Sequence, residues 1–209
     1  MRDIVRENNL DVRSGAGSEA KADYGGDLAK DVGVDLNAGA DTVSEIKKDQ
    51  NHAGKDLNDT QLDAVLDNFQ ENKWSDLTLE EQKQSMTDLA DYVAADTGNK
   101  NPPEIVFRDD MPDGSYGGYN PETNKMEINE NMLDDSVEAA DTIAHEMWHA
   151  YQQQEATKKP PSKQGREYQE GFDNYISPEF DFEGYENQQV ETEAREYAQG
   201  FKDRLNNAA

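Results

Sequence analysis

The stretch Thr142-Ile-Ala-His-Glu-Met-Trp-His-Ala-Tyr151 contains the pattern His-Glu-x-x-His, formed by His145, Glu146 and His149. On a helix, two histidines four residues apart lie on the same face, so both imidazoles reach one metal ion. The intervening glutamate points beside the ion, where a carboxylate acts as general base on metal-activated water in peptide hydrolysis. Of the three histidines in the chain, two stand in this pattern. It predicts a zinc site; the alternative is two ordinary surface histidines on a helix.

The metal-binding helix is predicted to begin after Asp134, Asp135 or Ser136, each of which is a suitable cap. Its apolar positions form one stripe, made of Val137, Ala140, Ala144, Trp148 and Tyr151. At about 100° per residue, His145 and His149 lie within ~40° of each other at the border of this stripe. We therefore expect them where a packed core meets a cleft, since a catalytic metal must keep one coordination position open.

A catalytic zinc ion needs a third protein ligand. The chain has no cysteine and no histidine after His149, so this ligand must be an aspartate or a glutamate. The metzincin continuation would require glycine and histidine where Gln152 and Glu155 stand. Glu155 lies too far along the same helix to complete the site. The last predicted helix offers Glu191 and Glu193 instead.

Two segments resemble the gluzincin group of zinc metallopeptidases, namely Ile143-Ala-His-Glu-Met-Trp-His-Ala-Tyr-Gln152 and Val190-Glu-Thr-Glu-Ala-Arg-Glu-Tyr-Ala198. They are similar to the metallopeptidase domains at the C-termini of bacterial polymorphic toxins, over roughly residues 75–205. The resemblance implies a zincin-like fold, one zinc ion per chain, and Glu191, the first glutamate of Glu-x-x-Ala, as third ligand. Glu193 remains the alternative.

The resemblance is incomplete around this last ligand. Related families place an aspartate after the alanine of Glu-x-x-Ala to orient a ligand, whereas this chain has Arg195. Arg195 stands one helical turn beyond Glu191, and we expect it to hold the Glu191 carboxylate by a charge-assisted hydrogen bond.

The composition excludes several kinds of partner. A formal net charge of −26 over 209 residues repels nucleic-acid phosphates and anionic membranes, so we expect neither as a partner. Such acidity keeps a protein soluble or serves to recognise a basic partner.

Residues 1–57 are predicted to be a flexible, acidic, Gly/Ala-rich N-terminal region or linker. Residues 13–26 are small and polar and have no helical or strand periodicity. His52 is expected to be a solvated side chain. The first thirty residues contain no apolar stretch of signal-peptide length. The localisation stays open, and export would use a non-classical route or a longer precursor.

Residues 58–209 are predicted to form one zinc metallopeptidase domain of the α+β class. This domain is mainly helical, with a small antiparallel sheet or hairpin beside the metal-binding helix. Besides that helix, the apolar spacing and the turn residues predict the following elements: a helix over 62–69 that ends before Trp74, a helix from the capping box Thr78/Glu81 to Gly98, a strand at 104–108, a hairpin of 115–119 with 125–129, a short helix near 168–176, an irregular loop at 177–184, and a long helix over 187–205.

Gly117 and Gly118 in the first hairpin strand indicate either a bulge or a close approach of another backbone. An extended peptide would add to such an edge through main-chain hydrogen bonds. The residues leave both options open, and the resemblance implies the docking edge. A donor that stabilises the oxyanion is also expected. Tyr175, Tyr185 and Tyr197 are candidates for it, and packing in the core is the alternative for each.

The leading hypothesis is a zinc-dependent endopeptidase in which His145, His149 and Glu191 hold the ion and Glu146 is the general base. The resemblance implies a secreted bacterial effector or toxin domain, with a protein or peptide substrate and an immunity or inhibitor protein as partners. The alternative is a non-catalytic zinc-containing or acidic binding module that captures a basic protein. A further variant within the enzyme class is a protease that cuts its own linker.

Overall fold

The computed structural model describes residues 59–208 of the chain. The predicted linker over residues 1–57, with His52, lies outside the described residues. Helices make up 63% of the described part, which also contains a three-stranded sheet. The predicted α+β class with mainly helical content is therefore confirmed. None of the helices within residues 59–208 is both long and apolar enough to cross a membrane.

The first helical region is broken, whereas a single helix ending before Trp74 was predicted. It consists of helix α1 (Asp59–Leu66), a 3-10 turn (Asp67–Phe69) and helix α2 (Glu71–Trp74). The break occurs because Gln70 adopts an extended backbone conformation, with φ −62° and ψ 131°. The change of direction lets Phe69 and Trp74 stack with ring centroids 4.9 Å apart, and both side chains are buried.

Helix α3 (Leu79–Thr97) begins and ends where the sequence predicts. The backbone N–H of Thr78 donates to the Glu81 carboxylate at 2.8 Å, and the backbone N–H of Glu81 donates to the Thr78 hydroxyl, which completes the capping box. Gly98 ends the helix with φ 67°, a left-handed conformation that favours glycine.

The sheet contains strands β1 (Glu104–Arg108), β2 (Gly117–Asn120) and β3 (Lys125–Asn129) in the order β1-β3-β2. The β2–β3 pair is antiparallel, which confirms the predicted hairpin. The prediction of an antiparallel sheet is wrong, because β1 pairs with β3 in parallel and the sheet is mixed. The chain between β1 and β2 crosses the end of β3, where the Asn129 side chain donates to the Ser115 carbonyl at 2.8 Å.

A 3-10 turn (Glu130–Met132) and four α-helices follow the sheet in the described residues, and the first α-helix carries the His-Glu-x-x-His pattern. They are α4 (Ser136–Thr157), α5 (Lys163–Asp173), α6 (Phe182–Glu186) and α7 (Gln189–Ala208). The Asp135 carboxylate caps α4 by accepting from the N–H groups of Val137 and Glu138 at 3.0 and 3.1 Å. Helix α6 occupies part of the segment that was predicted to be an irregular loop.

Two groups of buried side chains pack against α4. The larger cluster joins α4 to α1, α3, α7 and the sheet, and it includes Leu66, Met86, Leu89, Val93, Met126, Ile128, Ile143, Met147 and Phe201. The aromatic cluster lies between α4, α5 and α7, and its buried members are Trp148, Tyr151, Ala156, Tyr168, Val190 and Ala194. Helix α4 contributes to both groups, so its position is fixed by both.

Candidate metal centre

Helices α4 and α7 bring three ligand-type side chains together. The Nε2 atoms of His145 and His149 lie 3.0 Å apart. The carboxylate of Glu191 faces both rings, with Oε2 3.4 Å from His145 Nε2 and Oε1 3.4 Å from His149 Nε2. The exposed fractions of the His145 and Glu191 side chains are 13% and 0%. Among the described residues, this buried group of His145, His149 and Glu191 could hold a metal ion.

The spacing of the three donors suits a tetrahedral metal. With ligand bonds of about 2.0–2.1 Å, donor atoms around tetrahedral zinc lie about 3.3 Å apart. The separations of 3.0, 3.4 and 3.4 Å agree with this value. In addition, Glu191 Oε2 is buried and accepts no hydrogen bond from any residue in the range 59–208. A cation between the three side chains would satisfy this buried oxygen.

A glutamine holds one of the two histidines. Gln152 is fully buried, its Oε1 lies 2.8 Å from His149 Nδ1, and its Nε2 donates to the Val190 carbonyl at 3.0 Å. Sequence reasoning used Gln152 only to exclude the metzincin pattern and missed this role. The available signal was its spacing, because residues three apart on a helix lie on the same face.

Glu146 lies against the sheet. Its side chain is buried, and its Oε2 accepts a hydrogen bond from the backbone N–H of Tyr119 at 2.8 Å. Tyr119 belongs to β2, which is an edge strand of the sheet. This contact joins the predicted general base to the predicted docking strand. No side-chain pattern in the sequence reveals it, because the donor is a backbone group.

The Glu191 carboxylate has further neighbours. Tyr175 donates its phenolic O–H to Glu191 Oε1 at 2.7 Å, so Tyr175 is the candidate tyrosine that the structure brings to this group. Burial alone would raise the pKa of Glu191, but the adjacent rings of His149 and His145, when they are protonated, lower that pKa well below its usual range.

The hydrogen bond predicted between Arg195 and Glu191 is not formed. The Arg195 Nη1 atom lies 3.9 Å from Glu191 Oε2, which exceeds hydrogen-bonding distance. The Arg195 guanidinium instead donates through Nη2 to the backbone carbonyl of Glu186. Arg195 is therefore an ion-pair partner of Glu191, and its hydrogen bond goes to Glu186, the last residue of α6.

The remaining candidates have other partners. Glu193 accepts from the Tyr168 hydroxyl at 2.6 Å, and it is not part of the three-residue group. The Tyr197 hydroxyl donates at 2.9 Å to Asp96, a residue of helix α3. The Tyr185 ring packs edge-on against Tyr175 with a centroid distance of 6.2 Å.

Gly117 marks a close approach between the sheet and α4. A Cβ atom at this position would lie 2.9 Å from the Glu127 carbonyl oxygen and 2.9 Å from Thr142 Cγ2. The pairing of β2 with β3 runs without an extra residue through Gly117 and Gly118, so the bulge that was one of the two options is not formed. The glycine lets helix α4 pack directly on β2, beside the Glu146 contact.

Comparison with protein-family models, with curated proteins and with solved structures finds no match for this chain. The function of the chain is therefore inferred from the geometry of the described residues. That geometry defines a mainly helical α+β protein whose buried group of two histidines and one glutamate could hold a metal ion.

Proposed function

We propose that the chain is a zinc-dependent endopeptidase of the gluzincin type with a zincin-like fold. The observation that carries the proposal is the convergence of His145, His149 and the distant Glu191 within 3.0–3.4 Å. A pair of ordinary surface histidines would have no reason to face a fully buried carboxylate from another helix. Two imidazoles and one carboxylate are also a ligand set that catalytic zinc uses.

The three side chains would hold the ion, and the fourth coordination position would be left for water and substrate. A zinc ion bound there would lower the pKa of water and polarise the scissile carbonyl. Tyr175 and Gln152 support this donor set, because each forms a hydrogen bond with a ligand side chain.

Glu146 would act as the general base and then as the general acid. It takes the proton from the attacking water and passes that proton to the leaving amine when the peptide bond breaks. The backbone N–H of Tyr119 holds one oxygen of the Glu146 carboxylate and so fixes the orientation of the group. Proton transfer by a positioned side chain contributes roughly 10²–10⁴-fold to the rate.

Strand β2 would bind the substrate. It lies at the edge of the sheet, and its Tyr119 N–H reaches Glu146 rather than β3. A peptide that adds to this edge in an extended conformation would bring its backbone beside the general base. Main-chain pairing of this kind would permit cleavage inside a chain, since it does not require a chain end.

The biological setting is a further part of the proposal. The two helices that carry His145 and Glu191 resemble the metallopeptidase domains of bacterial polymorphic toxins, which favours a secreted effector with an immunity or inhibitor protein. Protein or peptide is the substrate that the proposed chemistry requires.

Metal analysis tests the ligands. Purified wild-type protein should contain about one zinc ion per chain, and His149→Ala should lose it. Glu191→Ala should also lose the ion, whereas Glu193→Ala should retain it, because Glu193 bonds to Tyr168. A wild-type protein that binds no zinc would overturn the proposal, and zinc loss only in Glu193→Ala would reassign the third ligand.

Cleavage tests the general base. Glu146→Gln keeps the shape of the side chain and should retain zinc, but peptide cleavage should fall by roughly 10²-fold or more. The readout is the set of new protein termini that wild type generates and Glu146→Gln does not. Zinc binding without any cleavage by the wild type would favour the non-catalytic binding module instead.

A further inference from the structure

We propose that Gln152 is a positioning residue of the metal centre. It fixes the ring of His149 and ties that ring to the helix that supplies Glu191. The inference rests on the proposed zinc site, but it concerns a residue outside the ligand set. It therefore predicts effects on zinc affinity that no ligand substitution would reveal.

Hydrogen bonds fix both ends of the Gln152 side-chain amide. The residue is fully buried, and both ends of its amide have partners on different helices. Its Nε2 faces the Val190 carbonyl at 3.0 Å, and a carbonyl only accepts hydrogen bonds. The orientation of the amide is therefore set by Val190, and Oε1 must face His149.

This orientation selects the tautomer of His149. Because Gln152 Oε1 only accepts, the ring must carry its proton on Nδ1 and donate it across the 2.8 Å contact. The lone pair then lies on Nε2, the atom that faces His145 Nε2 and Glu191 Oε1. A metal requires this lone pair, so Gln152 prepares His149 as a ligand before the ion arrives.

The second hydrogen bond couples the two helices of the site. Val190 lies in the first turn of α7 and immediately precedes Glu191. Gln152 thus connects the ligand His149 on α4 to the backbone next to the third ligand. Its loss should disturb both the ring orientation and the distance between the two ligand-bearing helices.

Three variants separate these effects from a general loss of stability. Gln152→Leu removes both hydrogen bonds. Gln152→Glu keeps an acceptor for the His149 Nδ1–H but loses the donor to Val190. Gln154→Leu is the matched control, because Gln154 stands on the same helix and its amide also makes two hydrogen bonds. It accepts from the N–H of Lys100 at 2.7 Å and donates to the carbonyl of Gly98 at 3.4 Å.

The measurement is the zinc dissociation constant of the full chain, obtained by competition with a chelator at a temperature where circular dichroism shows every variant folded. Gln152→Leu should weaken zinc binding by about 10–100-fold. Gln152→Glu should lie between Gln152→Leu and wild type, and Gln154→Leu should match wild type even though it loses two hydrogen bonds.

Each other outcome is decisive. Equal zinc affinity in wild type and Gln152→Leu would overturn the inference and leave the proposed function standing. Equal weakening in Gln154→Leu would reduce the effect to general destabilisation and would also overturn it. If Gln152→Glu bound zinc no more tightly than Gln152→Leu, an action of Gln152 through His149 would be excluded. Absence of zinc binding by the wild type would instead defeat the proposed function, and the inference with it.

Discussion

The two buried clusters that share α4 are held together differently. The larger cluster is dominated by aliphatic side chains such as Leu89 and Ile143, both fully buried, which need only apolar neighbours. The aromatic cluster contains polar hydroxyls, and the Tyr168 hydroxyl reaches the Glu193 carboxylate at 2.6 Å. Its stability therefore depends on directional hydrogen bonds as well as on buried area.

The two clusters also position different residues of the metal centre. The larger cluster positions α4 against the sheet and so places Glu146 beside Tyr119. The aromatic cluster contains Val190, the neighbour of Glu191, and the half-buried Tyr175 that packs against it donates to Glu191 itself. We infer that the first cluster mainly determines stability, while the second determines where the third ligand lies.

The largest effect is expected for Leu89→Ala in the larger cluster. Leu89 is fully buried, and its truncation should lower the free energy of unfolding by about 2–5 kcal/mol. Urea unfolding measures this change, with Leu79→Ala as the control, since Leu79 is 41% exposed and its loss should cost little. The folded Leu89→Ala variant should still bind zinc. Zinc loss in the folded variant would contradict the proposed division between the clusters.

A pair of glycine substitutions tests the contact between α4 and the sheet. Gly117→Ala would place a Cβ 2.9 Å from the Glu127 carbonyl oxygen, and overpacking of this kind should cost about 1–3 kcal/mol. Gly200→Ala on α7 meets nothing within 4 Å and should instead stabilise the protein by about 0.4–1 kcal/mol. Thermal unfolding of both variants measures these two changes in stability. If Gly117→Ala were as stable as wild type, the close packing of α4 on β2 would be refuted.

Tyr168→Phe tests the aromatic cluster with a smaller change. It keeps the ring and removes the hydroxyl that donates to Glu193, which should cost about 1–2 kcal/mol. Chemical unfolding measures the loss. Gln169→Ala on the same helix breaks an exposed hydrogen bond to Asp173 and should cost only a few tenths of a kcal/mol. Equal costs in the two variants would show that the hydroxyl contributes nothing specific to this cluster.

Several of the features that the sequence predicted correctly are local. The capping box of Thr78 and Glu81 joins residues three apart, and Gly98 ends α3 through its own backbone conformation. The His145–His149 pair follows from the helical repeat alone. Each of these depends on neighbours within one helical turn, so composition and spacing were sufficient to predict them.

The features that the sequence did not predict depend on distant partners. The parallel pairing of β1 with β3 has no signature in either strand, because a strand does not encode which neighbour it will have. The contact of Glu146 with Tyr119 uses a backbone N–H, and that of Gln152 with Val190 uses a backbone carbonyl. Every residue has these groups, so only the folded chain reveals which of them complete the site.

The smallest predicted effect concerns pH and the aromatic cluster. Burial, followed by the charges of Glu155 and Glu193, raises the pKa of Tyr151 to about 12. An unfolded tyrosine ionises at about pH 10, so the unfolded chain loses this proton first as the pH rises. The contribution of Tyr151 is therefore fully present below about pH 10 and is lost as the pH rises through about 12. Between about pH 10 and about pH 12, Tyr151→Phe should therefore lose less stability than wild type.

Urea unfolding at pH 9 and pH 11 measures that difference, and the test bears directly on the comparison of the clusters. Leu89→Ala, which removes no titrating group, should lose as much stability as wild type over the same interval, although it starts from a lower value. If Tyr151→Phe and Leu89→Ala showed the same alkaline loss, the pH sensitivity would not lie in Tyr151. The larger cluster and the aromatic cluster would then not differ in their response to alkaline pH.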